Sequence, residues 1–257
     1  MSGGLHLENV TRRYGGLVAV DNISLDISGS GITAIIGPNG AGKTTLFNVI
    51  AGATAPSSGR VFFAGDEITG LSPDRIARRG LIRTFQLVQL FDHLTVLENV
   101  KVGRHLHTRG GLLTALLPSR AARSEAEVDA SARALLARTG LPTQAKALAA
   151  ALPYGQKRLL EITRALAAEP RMLLLDEPAA GLNREETTQL AALLRQIAAS
   201  GTAVLLIEHD MSLVMNVADR IAVLDFGRVI AQGTPDAVRG NRDVIAAYLG
   251  TAEAAHG

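Results

Sequence analysis

No cysteine occurs among the 257 residues, which excludes disulfides and thiolate metal sites and is compatible with a reducing compartment. Long apolar runs are missing too. Charges interrupt every candidate, including those around Met172 to Leu175 and Ala203 to Ile207, before the roughly 20 residues needed to span a bilayer are reached. The opening Met1-Ser-Gly-Gly-Leu-His6 lacks a basic region leading into an apolar one, so no signal peptide is expected and the chain is expected to be soluble by itself. Charge of either sign is not in excess, with 26 Lys and Arg against 24 Asp and Glu, and nothing in that balance points to nucleic acid. There is neither a sequence repeat nor a low-complexity linker. What is abundant is hydrophobic residues, at 47%, enough for one large domain or a core with a lobe.

Short apolar runs at Leu5 to Val10 and Ile23 to Ile27 alternate with turns and predict a small antiparallel sheet. Ile32 to Ile36 then runs directly into Gly37-Pro-Asn-Gly-Ala-Gly-Lys43-Thr44, and Lys43 to Ala51 reads as a helix stopped by Gly52. Val61 to Ala64 and Leu81 to Phe85 are expected strands, with a short helix at Ser72 to Arg79 between them. From about Leu87 to Ala151 helical patterns take over, such as Glu98 to Arg104 and Ser124 to Thr139, and predict an inserted helical lobe. The rhythm of strand and helix then resumes: helix 155 to 168, strand 172 to 175, helix 184 to 199, strand 203 to 207, helix 212 to 218. Such alternation argues for a mostly parallel sheet covered by helices. Ile221 to Leu224 and Val229 to Ala231 read as a closing hairpin, and residues 251 to 257 as a frayed tail.

Residues 37 to 44 fit the pattern G-x-x-x-x-G-K-[ST], in which glycines let backbone N–H groups approach a polyphosphate and a lysine neutralises it. Chance produces this pattern on the order of once per hundred chains of such length. Lys43 is expected at the β and γ phosphates and the Thr44 hydroxyl on Mg²⁺. Helix 43 to 51 adds its positive end. Asp176 closes a run of apolar residues, where a parallel sheet delivers a side chain to its ligand edge, and is a candidate for holding Mg²⁺ through water. Glu177, one residue on, is placed to orient and deprotonate the water attacking the γ-phosphorus. His105-Leu-His107 has the alternation of a metal pair but no third ligand, and a solvated loop accounts for it better.

The phosphate loop, Gln86, Leu152-Pro-Tyr-Gly-Gln156, Leu175-Asp-Glu-Pro178, Ala180-Gly-Leu-Asn183 and His209 stand in an order that resembles ABC transporter ATP-binding subunits over nearly the whole chain. The resemblance implies an α/β fold: a P-loop NTPase (RecA-like) core with a mostly parallel sheet, an N-terminal antiparallel β subdomain and an inserted α-helical subdomain. As a single ABC ATPase domain, it would comprise a core of 1–86 and 155–250, a helical subdomain of 87–154 and the tail of 251–257. Its cofactors would be ATP and Mg²⁺. Nucleotide would be bound by Tyr14, stacked on adenine, and by Gly37, Pro38, Asn39, Gly40, Ala41, Gly42, Lys43, Thr44 and Thr45. Tyr154, Gly155 and Gln156 would reach the nucleotide of a second subunit in a head-to-tail dimer. Gln86 would sense Mg²⁺ and γ-phosphate and link the site to the helical lobe, and His209 would contact the γ-phosphate. Two positions depart from the family pattern. Pro153 stands where a serine is usual, which removes a hydroxyl and an N–H, and Asn183 stands where an aspartate is common, so that residue's usual contact is in question.

Leu94-Thr-Val-Leu-Glu-Asn-Val100, Ile207-Glu-His-Asp-Met211 and Asp243-Val-Ile-Ala-Ala-Tyr-Leu-Gly250 resemble, within that family, the ATPases of branched-chain amino acid importers. That implies two membrane-spanning permease subunits, an external solute-binding protein, a second similar ATPase subunit, and a place on the cytoplasmic face of the membrane. Other amino acids, amides or urea are alternative cargoes. Residues 83 to 97 are expected to meet the permease, with Phe91 and Leu94 as anchors, and Leu112 to Leu117 to pack within the lobe. A soluble ABC protein would usually carry two cassettes or a long coiled coil, and neither is present. Glu177→Gln is expected to leave ATP binding intact while stopping turnover, and steady-state hydrolysis near wild type in that variant would remove Glu177 as the base.

Overall fold

The computed structural model describes residues 3–84, 89–104 and 118–254. The chain divides into two compact units, one of Met1–Arg83, Arg171–Ala180 and Thr187–Gly257, the other of Thr84–Pro170 and Gly181–Glu186.

In the first unit, β1 (Leu5–Tyr14) and β2 (Leu17–Ile27) form an antiparallel sheet with β4 (Ser58–Phe63) and β5 (Asp66–Glu67), in the order β2-β1-β4-β5. Leu5, Leu7, Ile23, Leu25 and Ile27 are buried, with more exposed residues between them, which is the period of strands with one covered face. Both strands run past the predicted ends and meet in a hairpin at Gly15 and Gly16. Register shifts between Leu7 and Arg13, with left-handed backbone at Asn9 and Asn22, break the alternation there and hide those residues from a period-two reading.

The larger sheet is formed by β3 (Ile32–Ile36), β6 (Leu81–Arg83), β7 (Met172–Asp176), β8 (Ala203–Ile207), β9 (Arg220–Asp225) and β10 (Arg228–Gly233), in the order β10-β9-β3-β8-β7-β6. Five strands are parallel and β10 lies antiparallel to β9 at the edge. Every residue of β3, β7 and β8 is buried, because both sheet faces are covered. Helix α1 (Lys43–Ile50) lays Leu46, Phe47 and Ile50 into one cluster with Leu5, Leu7 and Val10 of β1 and Leu174, Leu205 and Ile207 of the large sheet. Each such side chain stabilises the fold by about 1.5–3 kcal/mol. A short helix, α2 (Pro73–Ala77), has proline at its first turn.

The second unit is helical. Helix α3 (Val96–Gly103), α4 (Pro118–Arg138) and α5 (Tyr154–Ala167) share a core that includes Val96, Val100, Ala132, Leu136, Leu160 and Ala167. Thr95 opens α3 with a capping box: its hydroxyl accepts the Glu98 N–H at 3.2 Å and its own N–H donates to the Glu98 carboxylate at 2.7 Å. The rhythm of helix then strand places residues 155 to 168 with the core. In the structure that helix is grouped with α3 and α4, because its apolar face meets theirs.

Chain direction then returns through α6 (Arg184–Ala199), α7 (Met211–Val217), α8 (Pro235–Arg239) and α9 (Arg242–Ala254). The last helix continues to Ala254, past Gly250, where the tail was expected to fray. Strand β3 pairs with β8 on one side and β9 on the other, and the register sets Ile35 opposite Ile207 and Ile207 opposite Asp176. The carboxyl ends of β3, β8 and β7 are therefore level, so three loops leave the sheet along one edge.

Candidate nucleotide site

The first of these loops is the glycine-rich one. Gly37 takes φ 151 and a Cβ there would strike the Leu224 carbonyl, while Gly42, at φ 95, lies against the Ala19 carbonyl. Only glycine fits either place. Gly42 is the N-cap of α1, so the first-turn amides of Lys43, Thr44 and Thr45 have no partner within the helix and point with its positive end toward the loop. Asn39, Gly40 and Thr44 are exposed on the rim, whereas Pro38 and Ala41 are buried beneath it. The Lys43 ammonium donates to the carbonyls of Gly37 at 2.7 Å and Pro38 at 2.8 Å. Burial lowers the pKa of Lys43, and the charges of Glu177 and Asp176 act in the opposite direction, so these three groups feel one another.

Asp176 ends β7 almost fully buried. One of its carboxylate oxygens accepts from Arg83 at 2.8 Å, and Arg83 also donates to the Asn48 side chain of α1 at 2.6 Å. Glu177 adopts left-handed backbone, φ 45, and its N–H donates to the Ile207 carbonyl at 2.9 Å. The chain turns at once, with the Ala180 N–H returning to the Glu177 carbonyl at 3.1 Å. From the neighbouring strand end, His209 Nδ1 lies 3.8 Å from Glu177 Oε2, with the imidazole exposed. Between them Glu208 is fully buried and accepts three backbone N–H groups, from Ala179 at 2.8 Å, His209 at 3.0 Å and Asp210 at 3.3 Å. It ties the Glu177 loop to the His209 loop. Burial raises the Glu208 pKa, against the pull of those amides.

Lys43, Asp176, Glu177 and His209, chosen from sequence, thus stand at one sheet edge. Tyr14 closes β1, exposed, with the Arg12 guanidinium 4.5 Å from its ring centroid. Gln86, His105, His107 and Leu112 to Leu117 lie outside the described residues. Tyr154, Gly155 and Gln156 belong to the helical unit, where α5 starts one residue before the expected Gly155, with Pro153 as its N-cap. Proline suits that place because its fixed φ is compatible with a helix start and no helical N–H is lost. Buried Gly155 lies against the Glu186 carboxylate, and Gly181 lies against the Tyr154 ring. Asn183 is a helix cap: its side-chain oxygen accepts the Glu185 and Glu186 N–H groups at 2.9 and 3.0 Å, and its own N–H donates to Glu186 at 2.9 Å. An amide serves this purpose as well as a carboxylate.

A family model described as ABC transporter matches residues 20–180, more than half of the chain. The chain belongs to the ABC transporter family. A second model, described as branched-chain amino acid ATP-binding cassette transporter, matches residues 228–254 of this ABC protein. It is 45% identical over 250 residues to the high-affinity branched-chain amino acid transport ATP-binding protein BraF of Pseudomonas aeruginosa, covering 96% of this chain and 98% of that one. Identity to LivG of Escherichia coli, described by the same words, is 44% over the same shares. In structure it is similar to the ADP conformation of an ATP-binding cassette of an ABC transporter, with TM-score 0.84 and 31% identity over 97% of this chain and all of that one. It is also similar to a dimeric post-hydrolysis cassette bound to ADP and Pi, with TM-score 0.75 and 26% identity over 90% and 98% of the two chains. This ABC chain is accordingly an ATP-binding, ATP-hydrolysing cassette.

Sequence reasoning passed over Arg83 and Glu208 as site residues. In sequence Arg83 is only the start of a partner-facing segment, and its place beside Asp176 follows from the pairing of β6 with β7. Glu208 carried a signal, an acid between an apolar strand and a histidine, but its burial is not written in one dimension. Because the folded-state pKa of Glu208 is raised, the carboxyl contributes most below its unfolded value of 4.5 and that contribution is lost as pH rises through the folded pKa. The stability difference between wild type and Glu208→Gln should therefore shift against the wild type between pH 4 and pH 8, as read by denaturant unfolding at each pH. A difference that does not move, or moves the other way, would contradict that assignment.

Proposed function

We propose that this chain is the ATPase subunit of an importer of branched-chain amino acids, working with membrane permease subunits and a second cassette. The observation that carries this reading is identity of 44–45% along 96% of the chain to two transport ATP-binding proteins of that description, joined to the match of residues 228–254. No helix among the described residues is long and apolar enough to cross a membrane, so translocation falls to the permease.

The site's chemistry suits Mg-ATP. First-turn amides and Lys43 form an anion cradle, and the donors offered to a metal are few: Thr44 and Asp176, with Gln86 from outside the described residues. Among the described residues no cluster of three or more His, Asp or Glu is arranged to hold an ion by itself. Mg²⁺ fits such a site because it retains water and takes phosphate oxygens as ligands, and it would supply charge neutralisation to the departing phosphate. Glu177 accepts the proton of the attacking water, which yields ADP and inorganic phosphate. His209 contacts the γ-phosphate, and Glu208 holds both loops in place. Tyr14 stacks on adenine with its free face.

Tyr154, Gly155 and Gln156, at the start of α5, would complete the nucleotide site of the opposing cassette. Closure is favoured while triphosphate bridges the two, and hydrolysis removes that preference. The chain leaves the catalytic unit through Arg83, beside Asp176, and passes Gln86 before reaching the loop at Phe91. Phe91 is 50% exposed, with Arg164 over its ring at 5.5 Å, and Leu94 is half-buried. The loop carrying them is held by buried Asn99, which accepts the Phe91 N–H and donates to the Phe91 and Thr95 carbonyls, each at 3.0 Å. A rigid loop presenting an exposed aromatic ring is a suitable plug for a permease groove. Expressed with its permeases in a deletion strain, the wild type should restore uptake of radiolabelled leucine. Alanine at both Phe91 and Leu94 should abolish uptake while the isolated subunit keeps its ATPase activity. Restored uptake of a different solute only would overturn the cargo, and unchanged transport in the double variant would overturn the placement of the interface.

A further inference from the structure

We propose that Arg12 is a positioning residue for adenine: its guanidinium backs one face of the Tyr14 ring and ties that ring to the loop that follows α1. The inference rests on the reading of Tyr14 as the adenine platform and adds the group that holds the platform still.

The Arg12 guanidinium carbon lies 4.5 Å from the centroid of the Tyr14 ring, within the range in which a cation is drawn to the negative face of an aromatic. With that face covered, a base has only the other to stack on. The guanidinium is itself anchored, since Arg12 Nη1 donates to the Ala55 carbonyl at 3.0 Å. Ala55 belongs to a loop tied at both ends. The Thr54 N–H donates to the Asn48 carbonyl of α1 at 3.1 Å, and the Ser57 N–H donates to the Thr11 carbonyl of β1 at 2.7 Å. Arg13 adds its own N–H to the Ser57 hydroxyl at 3.0 Å. One chain of contacts thus runs from the helix whose first turn cradles phosphate, through residues 54 to 57 and Arg12, to the ring on which the base stacks. It sets the spacing between the two ends of the nucleotide.

Tyr14 needs such support where it stands. It closes β1 at 44% exposure, and the hairpin that follows is Gly15 and Gly16, where an added Cβ would meet no atom within 4 Å. A ring beside so open a turn exchanges rotamers readily, and a base that stacks on it must first order it. Arginine is suited to prevent this, because a planar guanidinium stacks on an aromatic face and donates from its edge at the same time. Arg12 Nε is buried with no hydrogen-bond partner among the described residues, so the ring contact and the bond to Ala55 are what direct the group.

In the full-length protein, Arg12→Ala should weaken ADP affinity about 2- to 5-fold, the span of an exposed cation–π contact, and leave affinity for inorganic pyrophosphate unchanged, both read by equilibrium titration. Arg12→Gln, which keeps a donor for the Ala55 carbonyl but takes the cation from the ring, should do the same. Tyr14→Ala should weaken ADP about 5- to 100-fold, the span of a lost base stack, again without effect on pyrophosphate. The double variant Arg12→Ala with Tyr14→Ala should bind ADP no more weakly than Tyr14→Ala alone, because Arg12 acts through the ring. Equal weakening of ADP and pyrophosphate in Arg12→Ala would reduce the effect to charge near a polyanion and overturn the proposal. Losses that add in the double variant, or wild-type ADP affinity in Arg12→Gln beside a weakened Tyr14→Ala, would also overturn it. If Tyr14→Ala itself bound ADP as the wild type does, the adenine reading would fall first and this inference with it.

Discussion

The alignment of three strand ends is the constraint on which the remaining chemistry depends. Strand β8 is hydrogen-bonded to β3 on one side and β7 on the other, and its last residue, Ile207, is level with both Ile35 and Asp176. The phosphate loop, the Asp176-Glu177 pair and the Glu208-His209 pair then leave the sheet at the same height with no further adjustment. A slip of one residue in β7 would turn Asp176 to the opposite face and exchange a buried leucine for it.

Around this edge, charges are shared rather than paired off. Lys43 is drawn to two loop carbonyls and toward two carboxylates, and Asp176 is held by an arginine that also grips α1. Such an arrangement holds acid and base groups fixed in direction, which suits a site that receives a polyphosphate. The helical unit has the contrary character. Its core is made by α3, α4 and α5 with Leu141, Ala145, Ala149 and Leu152 of the connection between the last two, it ties its loops down with the capping box at Thr95 and the clamp at Asn99, and on its surface it presents an aromatic ring and a helix start. One unit carries the nucleotide site, and the other carries the surface proposed above to meet partners.

Much of this was legible in the sequence wherever a signal was local. Continuous apolar runs gave β3, β7 and β8, the loop spacing gave Lys43 and Thr44, the acids closing the run at 172 to 175 gave Asp176 and Glu177, and the resemblance to the family brought His209 into the same set. Signals failed where structure interrupts them or where the relevant neighbour is distant in the chain. Bulges in β1 removed the alternation that would have revealed the full hairpin. Pro153 and Asn183 read as losses against the family pattern, yet each sits at a helix start, where a proline is harmless and an asparagine is a good cap. Arg83 and Glu208 gained meaning only through contacts with Asp176 and Ala179, which no spacing rule connects.

Glu177 holds its side chain over the sheet edge by means of a backbone conformation that L-residues other than asparagine and aspartate rarely adopt. A residue without a Cβ would relax that turn by about 1–2 kcal/mol. The fold would thus be content with glycine, which could not fill the role proposed for the acid, and the acid persists at a standing cost met by the Ile207 carbonyl and the buried Glu208 network beneath it. With Glu177 in its proposed role, durability and turnover would pull in opposite directions at a single position, and a variant selected purely for heat resistance would have an inviting way to become inert.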